Sequence, residues 1–92
     1  MKNAKQMERH LKGVANHRRI EILLTIAGNK GVTLEGIVGL LKANEKTVGE
    51  HTRRLVLAGL VNKKYNGKYV EHELSPYGRY LVDFIKSFQK LK

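Results

Sequence analysis

The chain has 92 residues, enough for one domain around one small core. It contains no Cys, which excludes disulfides, thiolate metal sites and a cysteine nucleophile. Eighteen Lys and Arg against eight Asp and Glu give a net charge of +10, a field that favours nucleic acid, an acidic protein or an anionic membrane. The excess sits in two places. Residues 1–19 hold six basic and one acidic residue, and residues 42–68 hold seven and two. No apolar run approaches the roughly 18 residues of a membrane span. The basic start Met1–Lys5 has no apolar stretch behind it and does not read as a signal peptide. A cytoplasmic protein without a membrane partner is expected.

In chain order, residues 3–14 predict a first helix. Ala4, Met7, Leu11 and Val14 repeat at spacings of three and four, and Gly13 weakens the end. Asn16 caps a second helix, His17 to about Ala27. Ile20, Leu23, Leu24 and Ala27 form its buried face, widened by Ile22 and Ile26. His17, Arg18 and Arg19 fall in its first turn, where the helix dipole disfavours cations. Either Glu21 or a tertiary carboxylate pairs with Arg18 or Arg19, or a nearby DNA phosphate takes the charge. Gly28-Asn29-Lys30-Gly31 ends the helix, and Thr33 caps a third, Leu34 to Leu41. Leu34, Ile37, Leu40 and Leu41 are its inward face, and Gly36 and Gly39 could let another helix come close.

After the turn Lys42-Ala43, Asn44 caps a fourth helix that stops at Gly59. Val48, Thr52, Leu55 and Ala58 share one face of it. Lys46, Thr47, Gly49, Glu50, Arg53 and Arg54 occupy the other. The period then changes from 3.6 to 2. Leu60–Tyr65 and Lys68–Leu74 flank Asn66-Gly67, a strong two-residue hairpin signal. That loop sets Tyr65 opposite Lys68, Lys64 opposite Tyr69 and Val61 opposite His72. Val61, Val70, His72 and Leu74 face inward, and Lys63, Lys64 and Lys68 crowd the tip. Ser75-Pro76 starts a last helix with the stripe Tyr77, Tyr80, Leu81, Phe84, Ile85, Phe88 and Leu91. Few residues remain to cover this stripe, so either it is buried against the first helix or part of it stays exposed in a monomer, and the second is expected. With Met7 and Leu11 of the first helix, Tyr77, Tyr80, Leu81, Phe84 and Phe88 are the candidate dimer surface.

The order of elements predicts a mainly α fold with a small β-hairpin: a single winged helix-turn-helix domain over residues 1–92. It has a three-helix core, a wing and a C-terminal helix. In such a fold the fourth helix enters the major groove. Thr47 can meet a base edge or a thymine methyl, Arg53 a guanine or a phosphate, and Glu50 a cytosine amino group. Gly49 lets the helix backbone approach the duplex. Lys46 and Arg54 flank them, and Lys63, Lys64 and Lys68 of the wing suit the phosphate backbone. His10, His17, His51 and His72 are scattered without ligand spacing, so structural histidines are expected and neither metal nor cofactor is called for. No phosphate-cradling glycine loop or nucleophile elbow suggests an enzyme.

These residues also resemble a known family. The run from Leu11 through Asn16 and Arg19 to Leu23 resembles the opening of ArsR-like winged-helix regulators, with His17 where a Pro is usual. Thr47-Val48-Gly49-Glu50-His51 resembles that family's Thr-Val-Ser-x-His, and Ala58-Gly59-Leu60-Val61 follows as it does there. Leu74-Ser75-Pro76-Tyr77-Gly78 resembles its Leu-Thr-Pro-x-Gly. The likeness runs from about residue 9 to 85. It implies a homodimer built from the first and last helices, reading a pseudo-palindromic operator in double-stranded DNA, usually as a repressor. The family's cysteine metal sites, and its paired acid-and-histidine zinc ligands on the last helix, have no counterparts here. The expected function is therefore a sequence-specific DNA-binding transcriptional regulator. The alternatives are a protein-interaction module of a larger assembly and a ligand- or metal-gated sensor of the same fold.

Overall fold

A computed structural model describes residues 1–92. Five helices and one hairpin follow in the order α1 (Ala4–Val14), α2 (His17–Gly28), α3 (Leu34–Leu41), α4 (Glu45–Leu57), β1 (Val61–Asn66), β2 (Tyr69–Leu74) and α5 (Pro76–Gln89). Each helix starts where a short polar side chain can satisfy a free backbone N–H. Asn3 caps α1 in a reciprocal box with Gln6. Asn16 accepts from the amides of Arg18 and Arg19, Thr33 from Gly36, Asn44 from Thr47 and Ser75 from Gly78. The chain leaves α4 through Gly59 at φ +76°, a left-handed turn that a side chain would strain.

The core is a seam between helices. Ile22, Leu23 and Ile26 of α2 meet Ile37 of α3 and Val48 and Leu55 of α4. Leu60, Val61 and Val82 close it from the hairpin base and α5. On α2 the residues expected only to widen the face, Ile22 and Ile26, are buried together with the expected Leu23, while Ile20, Leu24 and Ala27 are only partly buried. On α3 the expected inward face is corrected at one place. Leu40 is 56% exposed, because the eight-residue helix turns only Ile37 fully inward and leaves Leu34, Val38 and Leu41 at the margin.

Glycine does not act where the sequence placed it. A Cβ on Gly39 would meet open space, and one on Gly36 would press on the Val32 side chain rather than on another helix. The close approach is at Gly13. Here α1 lies against the end of α4 so tightly that a Cβ would collide with that of Ala58.

The hairpin register also differs from expectation. Val61 pairs with Leu74, Lys63 with His72, Lys64 with Glu71, Tyr65 with Val70 and Asn66 with Tyr69. The loop is Gly67-Lys68, with Gly67 at φ +63° and no positive φ at Lys68. A glycine at the first loop position suits a type II′ turn, so Asn66 stays in the ladder. The slip is two residues, and side chains alternate with period two, so the face assignment survives. Val61 and His72 are buried, and Val70 and Leu74 are partly buried. The Val32–Thr33 stub joins the sheet margin: Thr33 bridges to Glu71, and the His72 amide donates to the Val32 carbonyl at 2.9 Å.

Along α5 the inward side is narrow, with Gly78 and Val82 buried and Leu81 and Ile85 partly so. Tyr80, Phe84 and Phe88 are 79%, 58% and 61% exposed. Met7 and Leu11 of α1 and Tyr77 are about half exposed. An apolar strip thus runs across α1 and α5. No helix is long and apolar enough to cross a membrane.

Two substitutions separate the roles of glycine. Gly13→Ala must displace α1 from Ala58 and is expected to destabilise the fold by about 1–3 kcal/mol. Gly49→Ala places its methyl at an ordinary 3.7 Å from Leu34. It is expected to stabilise by about 0.5–1 kcal/mol through helix propensity. Urea denaturation of both variants checks the opposite signs.

Candidate nucleic-acid interface

The outward face of α4 exists because its inward face is fixed. Val48, Thr52 and Leu55 are buried against α2 and α3, and the Thr52 hydroxyl is satisfied within the helix by the Val48 carbonyl at 2.7 Å. Lys46, Thr47, Glu50, Arg53 and Arg54 are then exposed together. Gly49 is the exception among the proposed contact residues. It is half-buried, and the side of it that lacks a side chain faces Leu34 of α3 rather than solvent. A Cβ there would lie at an ordinary 3.7 Å from Leu34, so the packing of α3 on α4 does not require glycine.

Glu50 organises the face. It accepts from Arg53 Nη2 at 2.7 Å and Nε at 3.1 Å, and from Arg54 Nε at 3.2 Å. Hydrogen bonds from Arg53 first, and then from Arg54, hold its carboxyl down to about 2. The carboxylate is therefore charged at any pH near neutrality, and the two guanidiniums are held along the helix. All three groups stay in solvent, so the pairing is weak enough to be exchanged for a stronger anion. Lys46 makes no ion pair. Thr47 lies at the helix start beside Asn44, whose side chain takes its amide.

Behind this face stand Arg18 and Arg19 of α2. Arg18 pairs with Glu21 at 3.0 Å, which relieves one of the two first-turn cations. Arg19 has no such partner. Both press on His51 of α4, whose imidazole is pushed below its ordinary range by burial first, then by Arg19 and Arg18.

The wing presents Lys63, Lys64 and Lys68, all exposed, with Lys68 Nζ 5.5 Å from the centre of the Tyr69 ring. Sequence reasoning passed over Tyr65 and Tyr69, which are largely exposed among these lysines. Two outward tyrosines on a cationic hairpin were the available signal. Both tyrosines, with Lys63 and Lys68, line a groove of about 440 Å³ with Thr33, Leu34 and Glu35, between the wing and the start of α3.

The remaining histidines are structural where buried. His72 Nδ1 lies 3.1 Å from the Val32 carbonyl, and His10 Nδ1 is 2.6 Å from the Ala58 carbonyl. A carbonyl only accepts, so both Nδ1 atoms carry the hydrogen. His10 also stacks on Tyr77 at 4.8 Å and so ties α1 to both α4 and α5. No group of three or more His, Asp or Glu side chains is gathered as a metal site would require.

No family model matches the chain, and no curated protein does. Solved structures do. The homodimeric winged helix-turn-helix DNA-binding domain of a possible ArsR-family transcriptional regulator from Mycobacterium bovis superposes with a TM-score of 0.82 at 23% identity. The match covers 92% of this chain and 79% of that one. Reduced HlyU from Vibrio cholerae gives 0.83 at 22% identity over 97% and 94%. The transcriptional repressor PagR of Bacillus anthracis gives 0.81 at 17% over 88% and 93%. The chain has the winged helix-turn-helix fold: α3 and α4 are the helix-turn-helix and β1–β2 the wing.

His51 gives a test of the charge arrangement. Its folded-state pKa lies below the unfolded value of about 6.5, so the unfolded chain binds the proton more readily. The stability it contributes is full above that value and is lost as pH falls from it through the lower folded-state pKa. NMR titration of the folded chain should show His51 titrating below the unfolded value of about 6.5, and Arg19→Gln should raise it.

Proposed function

We propose that this chain is a sequence-specific, double-stranded DNA-binding transcriptional regulator that acts as a homodimer, in the simplest case a repressor that occupies its operator. The observation that carries the reading is the solvent face of α4. Short polar groups at its start and guanidiniums along its length are fixed outward by a buried seam on the other side. The B-DNA major groove is about 12 Å wide and accepts one helix in this way. Thr47, at the first turn, is the base-reading residue, and Lys46, Arg53 and Arg54 serve the flanking phosphates or a guanine. Glu50 serves as the counterion that keeps the two arginines extended until phosphate replaces it. Lys63, Lys64 and Lys68 lay the wing along the backbone.

The apolar strip of Met7, Leu11, Tyr77, Tyr80, Leu81, Phe84 and Phe88 supports a two-fold contact between copies. The likeness in fold to a domain described as homodimeric and DNA-binding supports the same arrangement. Two recognition helices related by that axis would read successive major grooves about 34 Å apart. The chain acts in this reading as a cytoplasmic binding protein and not as an enzyme. No cofactor or metal enters it.

The test is duplex affinity as a function of salt, followed by selection of preferred sites. A steep fall of affinity with salt is expected. Arg53→Ala should weaken binding, and Thr47→Ala should relax preference at one base by about 1–3 kcal/mol. Flat salt dependence together with unchanged binding in both variants would put a protein partner, rather than DNA, on α4. Tyr80→Glu with Phe84→Glu should yield monomers in sedimentation and lose the preference for paired half-sites. Dimers that survive both changes would move the interface elsewhere.

A further inference from the structure

One cationic feature lies outside the face of α4 just described. Arg9 and Lys12 of α1, Arg19 of α2 and Arg54 of α4 converge on an open pocket of about 250 Å³. Its floor is the tight contact of Gly13 with Ala58, and no carboxylate lines it. Lys12 and Arg54 each have an acidic neighbour on their own helix, Glu8 and Glu50, both in solvent. Arg9 and Arg19 have none. Arg19 is the telling residue: its Nε is buried and meets no protein acceptor. A guanidinium N–H without an acceptor is costly in a protein interior, and here it is held among three further cations. Nor does the α2 helix start supply the site, since Asn16 already takes the amides of Arg18 and Arg19.

We propose that this pocket is a phosphate seat, and that its occupant is one backbone phosphodiester of the duplex whose major groove receives α4. This assignment rests on the DNA-binding reading above and extends the footprint from α4 to α1 and α2. The chemistry fits the group. A phosphate spreads its charge over several oxygens and can take guanidinium donors from several directions, whereas a single carboxylate is matched by one arginine fork. The pocket is open on one side, as a group presented from a polymer requires. Arg54 is shared between the pocket and the α4 face, so a phosphate seated here releases it from Glu50. The seat also accounts for the cations in the first turn of α2, which Glu21 relieves only at Arg18.

Salt-titrated affinities of the full chain on its selected duplex are compared with those of R9Q and R19Q. Each variant is expected to flatten the slope of log affinity against log salt by about 0.9, the loss of one phosphate contact. Base preference should not change, because phosphate contacts carry no base information. Arg9 is exposed, so R9Q reports even if R19Q folds poorly. Wild-type slopes in R9Q and in folded R19Q, on a duplex that the wild type binds steeply, would overturn the seat and leave the α4 reading standing. A wild type with no salt dependence would instead overturn the DNA reading and the phosphodiester with it. In that case 15N shifts at Arg19 Nε on adding inorganic phosphate would reassign the pocket to free phosphate, and no shifts would remove it as an anion site.

Discussion

Val48, Thr52 and Leu55 pack α4 onto α2 and α3, and this seam decides what every charged residue nearby can do. Three side chains at spacings of four and three fix the rotation of the helix about its axis. Lys46, Thr47, Glu50, Arg53 and Arg54 have no freedom to turn inward once those three are buried. The seam also sets the position of the last turn of α4. Ala58 lies against Gly13, and its carbonyl is held by His10. Ser75 carries the same frame into α5 by donating to the Gly59 carbonyl at 2.6 Å. The solvent face of α4, the apolar strip and the cationic pocket are therefore positioned by one set of contacts.

Much of this was legible in the sequence because local chemistry is explicit there. Four of the five helix starts fall on the caps expected for them, Asn16, Thr33, Asn44 and Ser75, since a capping residue works with its own helix and little else; the first helix was read from residue 3, which is its cap. The Asn-Gly pair announced a hairpin but not its register. Which of the two residues begins the loop depends on turn type, and Asn66, which lacks the positive φ that a type I′ Asn-Gly loop would need, settles it. Leu40 was misplaced because periodicity cannot tell which end of a short apolar helix lies beyond its neighbours' reach. The close contact at Gly13 and the open surroundings of Gly39 are tertiary facts, and spacing within one helix holds no record of them.

The candidate site was legible by composition rather than by connection. Sequence placed Glu50 among the cations of α4 and read it as a possible base contact. The structure shows the carboxylate engaged with Arg53 and Arg54, a local consequence of spacings of three and four. Gly49 looked like a place for DNA to approach, and it faces Leu34 instead. The convergence of Arg9, Lys12, Arg19 and Arg54 joins three helices and could not be read from any one of them. Tyr69 was read as pointing away from the core, but neither it nor Tyr65 was given a role, and both are exposed among the wing lysines.

The central claim is that the solvent face of α4, and not the apolar strip across α1 and α5, meets a nucleic acid duplex. Backbone amide shifts of the labelled chain, recorded as duplex DNA is added at low and then at high salt, test it most directly. The account predicts the largest shifts along residues 45–54 and at the hairpin tip, fading as salt rises. Shifts confined to α1 and α5, with residues 45–54 unmoved, would contradict it.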